Sequence, residues 1–376
     1  MKIRLLGGWY QPDLGPPAEA HLELTSKCNL SCRFCYRRSW SEELGEMELQ
    51  HLKAALRELH EAGVKVLWLS GYGEPTYYTH FQEAVDQASR WFKLGLVTNG
   101  TMLEEYSKLI AEKIRWVVVS IESFTSLYQE LREGASLAKV REGMRSIMEA
   151  ASSAGRTPAI WISMILMKSN LSELPSSIEE ASKSGAIGVI LSNLIPTSEA
   201  MASQVLYGSD PDSKVHEVLH EARRKAIVHN LRIVEPEFKY RTGTGRYCPF
   251  IENNALVVNW DTSVSPCLML SHTYGMWLDG RRRTVKRAAF GSIAEKPLKD
   301  IWSTESYVKF RVLVKLGQFP SCNDCQHEEY CAFFETTEHD CWGNSPSCAS
   351  CLYYRRIVQC PMRYLVEHVR LIREYP

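Results

Sequence analysis

A chain of 376 residues, 45% of them hydrophobic, is long enough for two or three domains and for a full apolar core. Its 44 basic and 44 acidic side chains cancel, which excludes the basic surplus of a nucleic-acid binder. No apolar run approaches the roughly 18–20 residues of a membrane span, and MKIRLLGGWYQPDLGPP is too interrupted for a signal peptide, so a cytoplasmic protein with neither nucleic-acid nor membrane partner is expected.

In chain order, residues 1–17 read as an N-terminal extension, and residues 18–233 alternate short apolar runs with helical patterns, the grammar of βα units on a parallel sheet. The apolar runs predict strands at His21–Thr25, Lys65–Ser70, Leu94–Thr98, Trp116–Glu122, Ala159–Met167 and Ile187–Asn193. Met47, Leu49, Leu52, Leu56 and Leu59 recur at helical spacing, predicting an amphipathic helix over Glu46–Ala62. Further helices are expected at Phe81–Lys93, Leu103–Lys113, Val140–Ala154, Leu174–Ser184 and Ser213–His229. Six such units suit a barrel or most of one; periodicity alone leaves an open doubly wound sheet as the alternative. Residues 234–376 break into short, irregular segments that offer little apolar periodicity, so metal ligation is expected to hold them together. Arg281–Arg283, with Lys286 and Arg287, reads as a solvated basic loop.

The twelve cysteines are unevenly placed. Cys28, Cys32 and Cys35 stand together, the next 212 residues have none, and Cys248, Cys267, Cys322, Cys325, Cys331, Cys341, Cys348, Cys351 and Cys360 crowd the end. Without a secretory signal, such clustering points to metal ligands rather than disulfides. Cys28-Asn-Leu-Ser-Cys32-Arg-Phe-Cys35 is a C-x3-C-x2-C set directly after the first predicted strand. Three thiolates are one short of a closed [4Fe–4S] cluster and leave one iron open, whereas structural zinc wants four protein ligands.

This spacing, with Phe34 before the last cysteine, resembles the radical S-adenosylmethionine (SAM) superfamily. The resemblance implies a partial (β/α)6 TIM-like barrel with its site at the C-terminal strand ends. It implies that SAM chelates the open iron and is cleaved by one electron to a 5′-deoxyadenosyl radical that takes a substrate hydrogen. Gly71-Tyr72-Gly73-Glu74-Pro75 resembles the family's Gly-Gly-Glu-Pro loop, implying contact with the SAM ammonium. Thr98-Asn99-Gly100 resembles a family turn, and Ser120-Ile121-Glu122 the ribose-contacting Ser-x-Asp, with Glu122 longer than the usual aspartate. Arg132-Glu-Gly134 resembles a stretch whose arginine meets the SAM carboxylate; a surface ion pair is the alternative.

Phe290–Trp302, Phe310-Arg311 and Cys322-x2-Cys325-x5-Cys331 resemble the SPASM extension, which implies one or two auxiliary [4Fe–4S] clusters in a region 234–376. Position in the chain then suggests Cys322, Cys325, Cys331 and Cys360 for an outer cluster, and Cys248, Cys267 and Cys341 with Cys348 or Cys351 for an inner one. One cluster plus a zinc knuckle is the alternative. Cys35-Tyr-Arg37-Arg38-Ser39-Trp40 and Asp340-Cys-Trp342-Gly343-Asn344 through Cys351 resemble the maturases associated with tungsten-containing aldehyde ferredoxin oxidoreductases, also called cofactor-modifying proteins. That resemblance implies a peptide, protein or pterin-type substrate, a ferredoxin or flavodoxin electron donor and a tungsten oxidoreductase as partner. Arg37 and Arg38 suit an anionic pterin or carboxylate. A ribosomal-peptide maturase that cross-links or epimerises residues shares nearly all these motifs. An electron-transfer or scaffold iron–sulfur protein would keep the cysteines but would not need the Gly-x-Gly-Glu-Pro loop.

Overall fold

The computed structural model describes residues 3–5, 8–10, 15–240 and 246–359. Two short strands, β1 (Ile3–Leu5) and β2 (Gly8–Tyr10), pair antiparallel. There follow β3 (Glu19–Leu22), β4 (Val66–Leu69), β5 (Lys93–Thr98), β6 (Ile114–Ser120), β7 (Ala159–Leu166), β8 (Gly188–Asn193) and β9 (Arg232–Val234), parallel and adjacent in chain order. β10 (Ala255–Val258) then pairs parallel with β3, and β11 (Val264–Ser265) pairs antiparallel with β10. The result is one nine-stranded sheet, ordered β11-β10-β3-β4-β5-β6-β7-β8-β9, whose two ends do not pair. It is an incomplete barrel of βα units.

Side-chain alternation divides this sheet into two layers. Leu67 and Leu69 of β4 join the helix-facing core, while Val66 and Trp68 turn into the barrel with Trp116, Val118, Trp161, Ile190 and Val257. Three indoles fill that interior. Gly95 and Gly188 on neighbouring strands make room for them, since a Cβ there would stand 2.2 Å from Trp68 and 2.3 Å from Trp161. Outside, the helix Leu49–Ala62 buries Leu52, Ala55, Leu56, Leu59 and Ala62 on one face and ends at Gly63, whose φ of +101° only glycine tolerates readily. It starts three residues later than expected because Thr25 bridges Glu46 and Glu48 is the extended N-cap.

Each expected strand is present within a few residues, but the sheet continues past the boundary drawn at Val234. β9 contains that residue, and β10 belongs to the barrel sheet although it lies in the cysteine-rich third. Nor does that third lack an apolar core. Tyr307, Phe310 and Val314 of the helix Glu305–Lys315 are buried in the same cluster as the barrel's leucines, with Phe290 stacked on Tyr307 at 4.3 Å. Its apolar residues come from many short segments, so no periodicity reveals them.

The basic triplet is also not a loop. Tyr274–Leu278 (β12) and Arg281–Val285 (β13) form a hairpin closed by Asp279-Gly280, both with positive φ as a type I′ turn requires. Alternate residues Tyr274, Met276 and Leu278 point inward, and Arg283 is buried among the C-terminal cysteine loops. Among the described residues no helix is long and apolar enough to cross a membrane.

Candidate active site

The C-terminal ends of the parallel strands carry the chemistry. Cys28, Cys32 and Cys35 lie in the loop after β3, Gly71–Glu74 after β4, and Thr98 and Asn99 at the end of β5; with Ser120, Ser163, Ser192 and Asn193 from β6, β7 and β8 they line one cavity of about 240 Å³. Phe34, Arg37 and Arg132 line it too, while Leu268, Tyr353, Val358 and Gln359 close it from the C-terminal side. Thus the sequence-expected residues converge, apart from Glu122, which sits one layer behind.

The cysteine loop is rigidly anchored. Ser31 and Arg33 donate main-chain N–H groups to the carbonyls of Glu133 and Leu131. Arg38 donates to the carbonyls of Ser31 and Cys32 and pairs with Glu133 at 2.6 Å, so its guanidinium holds the loop rather than facing a ligand. Arg37, whose Nη2 donates to the Leu30 carbonyl at 2.9 Å, remains in the cavity wall with Nε unpartnered.

Hydrogen-bond donors surround the sulfurs. The Leu30 N–H lies 3.4 Å and Asn99 Nδ2 3.6 Å from Cys28 Sγ, and Arg132 Nη1 lies 3.7 Å from Cys32 Sγ. Burial pushes the Cys32 thiol up to about 11 against the pull of Arg132, and burial also raises Cys28. Bonding of Cys28 and Cys32 to iron would remove their protons, and the donors would then meet thiolates. The donor set, three cysteines with N–H groups aimed at two of them, fits a four-iron cluster that keeps one iron open to the cavity. Among the described residues no three His, Cys, Asp or Glu side chains are drawn tight enough for a single ion. A cubane does not need that closeness, because its thiolates each bind a different iron.

Glu74 lines the cavity and is held there by its neighbours. Its carboxylate accepts from Thr76 N at 3.1 Å, Thr76 Oγ1 at 2.7 Å, Thr98 Oγ1 at 2.7 Å and Asn99 N at 2.6 Å. These bonds lock the β4 and β5 ends together beside the glycine backbone that also lines the cavity. Burial raises the Glu74 carboxyl while the hydrogen bonds oppose the shift. Gly73 has no room for a side chain: a Cβ would stand 2.1 Å from the Thr25 carbonyl oxygen.

Glu122 and Arg132 meet each other. Arg132 Nη2 donates to Glu122 Oε1 at 2.7 Å, Nε donates to Oε2, and both side chains are buried. Arg132 thus spans from Glu122 to the Cys32 sulfur, with Phe34 under its guanidinium at 5.4 Å. The surface alternative for Arg132 is excluded, and the motif's arginine and acid work as a unit. Ser120 lines the cavity.

Sequence reading missed a clamp beneath this loop. His272 is buried between two carboxylates, with Nε2 2.7 Å from Glu23 Oε2 and Nδ1 2.7 Å from Glu42 Oε2. Glu23 also accepts the Tyr72 N–H and Glu42 the Thr273 N–H, so the cluster ties the Gly-Tyr-Gly loop to the C-terminal region. Burial disfavours the imidazolium, but the two carboxylates outweigh it and raise the His272 pKa. A raised folded-state value gives stability that is fully present below the unfolded value near 6.5 and lost as pH rises through the folded one. His272→Gln should therefore lower the unfolding temperature most at mildly acidic pH and progressively less at alkaline pH. A pH-independent loss would contradict the charged clamp.

The other missed residues are Ser163, Ser192 and Asn193. Small polar residues at the ends of apolar strands were the available signal. Asn193 Nδ2 donates to the Ile357 carbonyl and Ser192 Oγ accepts the Gln359 N–H, binding the cavity mouth to the chain's C-terminal segment.

The C-terminal cysteines fall into two places. Cys248, Cys267, Cys348 and Cys351 line a single buried cavity. Cys322, Cys325, Cys331 and Cys341 lie together nearer the surface, with Cys325 and Cys341 exposed. This corrects the positional expectation, which sent Cys341 inward and chose between Cys348 and Cys351. Cys360 lies outside the described residues.

Comparison with known proteins agrees with this geometry. The model of the radical SAM superfamily matches residues 22–181, and that of SPASM, an iron–sulfur cluster-binding domain, matches 248–326. The chain is 35% identical over 349 residues to the tungsten-containing aldehyde ferredoxin oxidoreductase cofactor-modifying protein of Pyrococcus furiosus, covering 91% of this chain and 96% of that one. A protein of Methanococcus maripaludis named "Probable GTP 3′,8-cyclase" is 25% identical over 261 residues, 66% of this chain and 84% of its own length. Among solved structures, anSMEcpe with bound AdoMet aligns at a TM-score of 0.61 with 17% identity, covering 95% of this chain and all of that one. Streptococcus suis SuiB bound to S-adenosylmethionine aligns at 0.60 with 15% identity, covering 85% of this chain and 73% of that one. At such identities these two speak for the fold.

Proposed function

Because the chain belongs to the radical SAM superfamily and carries its SPASM extension, we propose that it cleaves SAM reductively at the three-cysteine site and modifies a substrate in the maturation of a tungsten-containing oxidoreductase. It is a radical SAM enzyme whose cofactors are SAM, a [4Fe–4S] cluster and auxiliary iron–sulfur clusters. A reduced cluster held by Cys28, Cys32 and Cys35 would supply the one electron needed to cleave the S–C5′ bond of SAM to methionine and a 5′-deoxyadenosyl radical.

The residues of this chain bind and shield. Cys28, Cys32 and Cys35 would hold the cluster, and the backbone of Gly71–Gly73 would receive the SAM ammonium where a side chain would obstruct it. Asn99 and Arg132 hold the cysteine sulfurs in place, and Ser120 faces the cavity for the ribose. Tyr353, Val358 and Gln359 cover the mouth and limit water near a radical. Glu74 and Glu122 act as positioning residues.

The observation that carries this reading is the shared cavity: the three cysteines after β3 and the polar ends of the five parallel strands β4 to β8 face one space. The near full-length relative named for tungsten-enzyme cofactor modification supports the substrate class. Arg37, in the cavity wall, suits an anionic pterin or a peptide carboxylate. The eleven described cysteines are all free, which suits a reducing cytoplasm; a ferredoxin or flavodoxin is proposed as electron donor from the family resemblance.

The test is anaerobic incubation of the reduced enzyme and SAM with the immature tungsten oxidoreductase polypeptide, with its pterin cofactor, or with an unrelated peptide. Formation of 5′-deoxyadenosine should accelerate with one of the first two, accompanied by a mass change in that substrate. Acceleration by the peptide alone would favour a peptide maturase. No formation with any of them would favour an electron-transfer or scaffold protein.

A further inference from the structure

We infer that Arg283 is the shared counter-cation of the two C-terminal cysteine sets, and that its buried, unpaired charge raises the reduction potentials of the auxiliary iron–sulfur clusters they hold. The inference rests on the reading that these eight cysteines ligate those clusters. It gives a role to an arginine-rich strand that the chemistry at the barrel does not use.

Strand pairing places the side chain. Arg283 stands opposite Met276 across the hairpin, and both face a small cavity that Cys267, Cys348 and Cys351 also line. The guanidinium then bridges the loops of the two sets. Nη1 donates to the Ser350 hydroxyl, inside Cys348-x2-Cys351, and Nη2 donates at 3.1 Å to the Thr336 carbonyl, between Cys331 and Cys341. Cys322 of the outer set and Cys348 and Cys351 of the buried set all lie within its electrostatic range.

Only 3% of Arg283 is exposed, yet both of these acceptors are neutral, and among the described residues no carboxylate forms an ion pair with it. Glu328 lies in range without pairing, and burial pushes its carboxyl up to about 7, which makes it a weak counter-charge near neutrality. Other arginines beside the thiols are balanced. Arg132 pairs with Glu122, and Arg355, in range of Cys322 and Cys351, pairs with Asp324 at 3.7 Å. A buried cation without a counter-charge is costly, and burial disfavours the charged form of Arg283. Thiolates ligating iron bring the missing negative charge, and one-electron reduction of a cluster adds to it, so a fixed cation nearby favours the reduced form. The cavity, about 20 Å³, has room for about one water, so solvent screens the charge little.

The test reads potential rather than turnover. Auxiliary signals of anaerobically reconstituted full-length protein are followed by electron paramagnetic resonance through a redox titration with dithionite. Arg283→Gln keeps a hydrogen-bond donor and removes the charge. Reduction of the auxiliary clusters should become about tenfold less favourable, a shift of about 59 mV to more negative potential for one electron. Arg283→Lys keeps the charge and should return the potentials close to the wild-type values. The Cys28 site, whose neighbouring cations are Arg37 and Arg132, should keep its potential in both variants. Auxiliary potentials unchanged in Arg283→Gln, or lowered equally in Arg283→Lys, would overturn the inference and leave Arg283 a tie between loops. If Arg283→Gln does not retain auxiliary iron, the lysine variant decides: clusters retained there support the counter-charge, and clusters lost there too refute it. Wild-type protein with iron at the Cys28 site alone would instead overturn the reading that the C-terminal cysteines hold clusters.

Discussion

Replacing Cys28, Cys32 and Cys35 together with alanine should abolish 5′-deoxyadenosine formation from SAM while roughly eight irons stay on the C-terminal cysteines. The expectation rests on separation: these three sulfurs line the strand-end cavity, and the other eight described cysteines belong to the C-terminal region. The barrel's core does not depend on the thiols, since the helix-facing leucines and the interior indoles fill it without them. Iron analysis and product chromatography on one preparation read both halves of the expectation. SAM cleavage at the wild-type rate in the variant would place the chemistry at another cluster.

The next largest effect is expected at Arg132. Its guanidinium and the Glu122 carboxylate are both buried and doubly bonded, so Arg132→Met leaves a buried carboxylate without its counter-charge. Breaking such a pair costs about 3–5 kcal/mol, while replacing both partners by neutral groups costs far less. Arg132→Met should unfold at markedly lower temperature than the wild type, and Glu122→Gln combined with Arg132→Met should recover most of the loss. The double variant still lacks the donor to Cys32 Sγ, so its cluster should have a more negative reduction potential. Equal stability of the single and double variants would show that the pair is not coupled.

The two predictions draw unequally on the sequence. The strands were legible because apolar runs such as Lys65–Ser70 and Trp116–Glu122 are long and bounded, and C-x3-C-x2-C is a spacing that few other constraints produce. The sheet edges were not. β9 has three residues, and β10 is paired with β3 from more than two hundred residues away, information no local pattern holds. The hairpin around Asp279-Gly280 went unread, because its arginine-rich return strand resembled solvated loop. At the site, residue types were legible and pairings were not. The family resemblance singled out Glu74, Glu122 and Arg132, but only folding reveals that Glu74 bonds Thr98 and Asn99 and that Glu122 bonds Arg132 behind the cavity. Cys341 and Cys348 part company for the same reason, because the Asp340 side chain closes the loop between them.

The central claim is that the Cys28, Cys32 and Cys35 site leaves an iron open to a cavity shaped for SAM. Electron paramagnetic resonance of the reduced, reconstituted protein with and without SAM tests it most directly. SAM should alter the signal of one cluster only, and that change should vanish in Cys32→Ala while the auxiliary signals persist. A spectrum indifferent to SAM in the wild type, or a SAM-dependent change that survives in Cys32→Ala, would contradict the account.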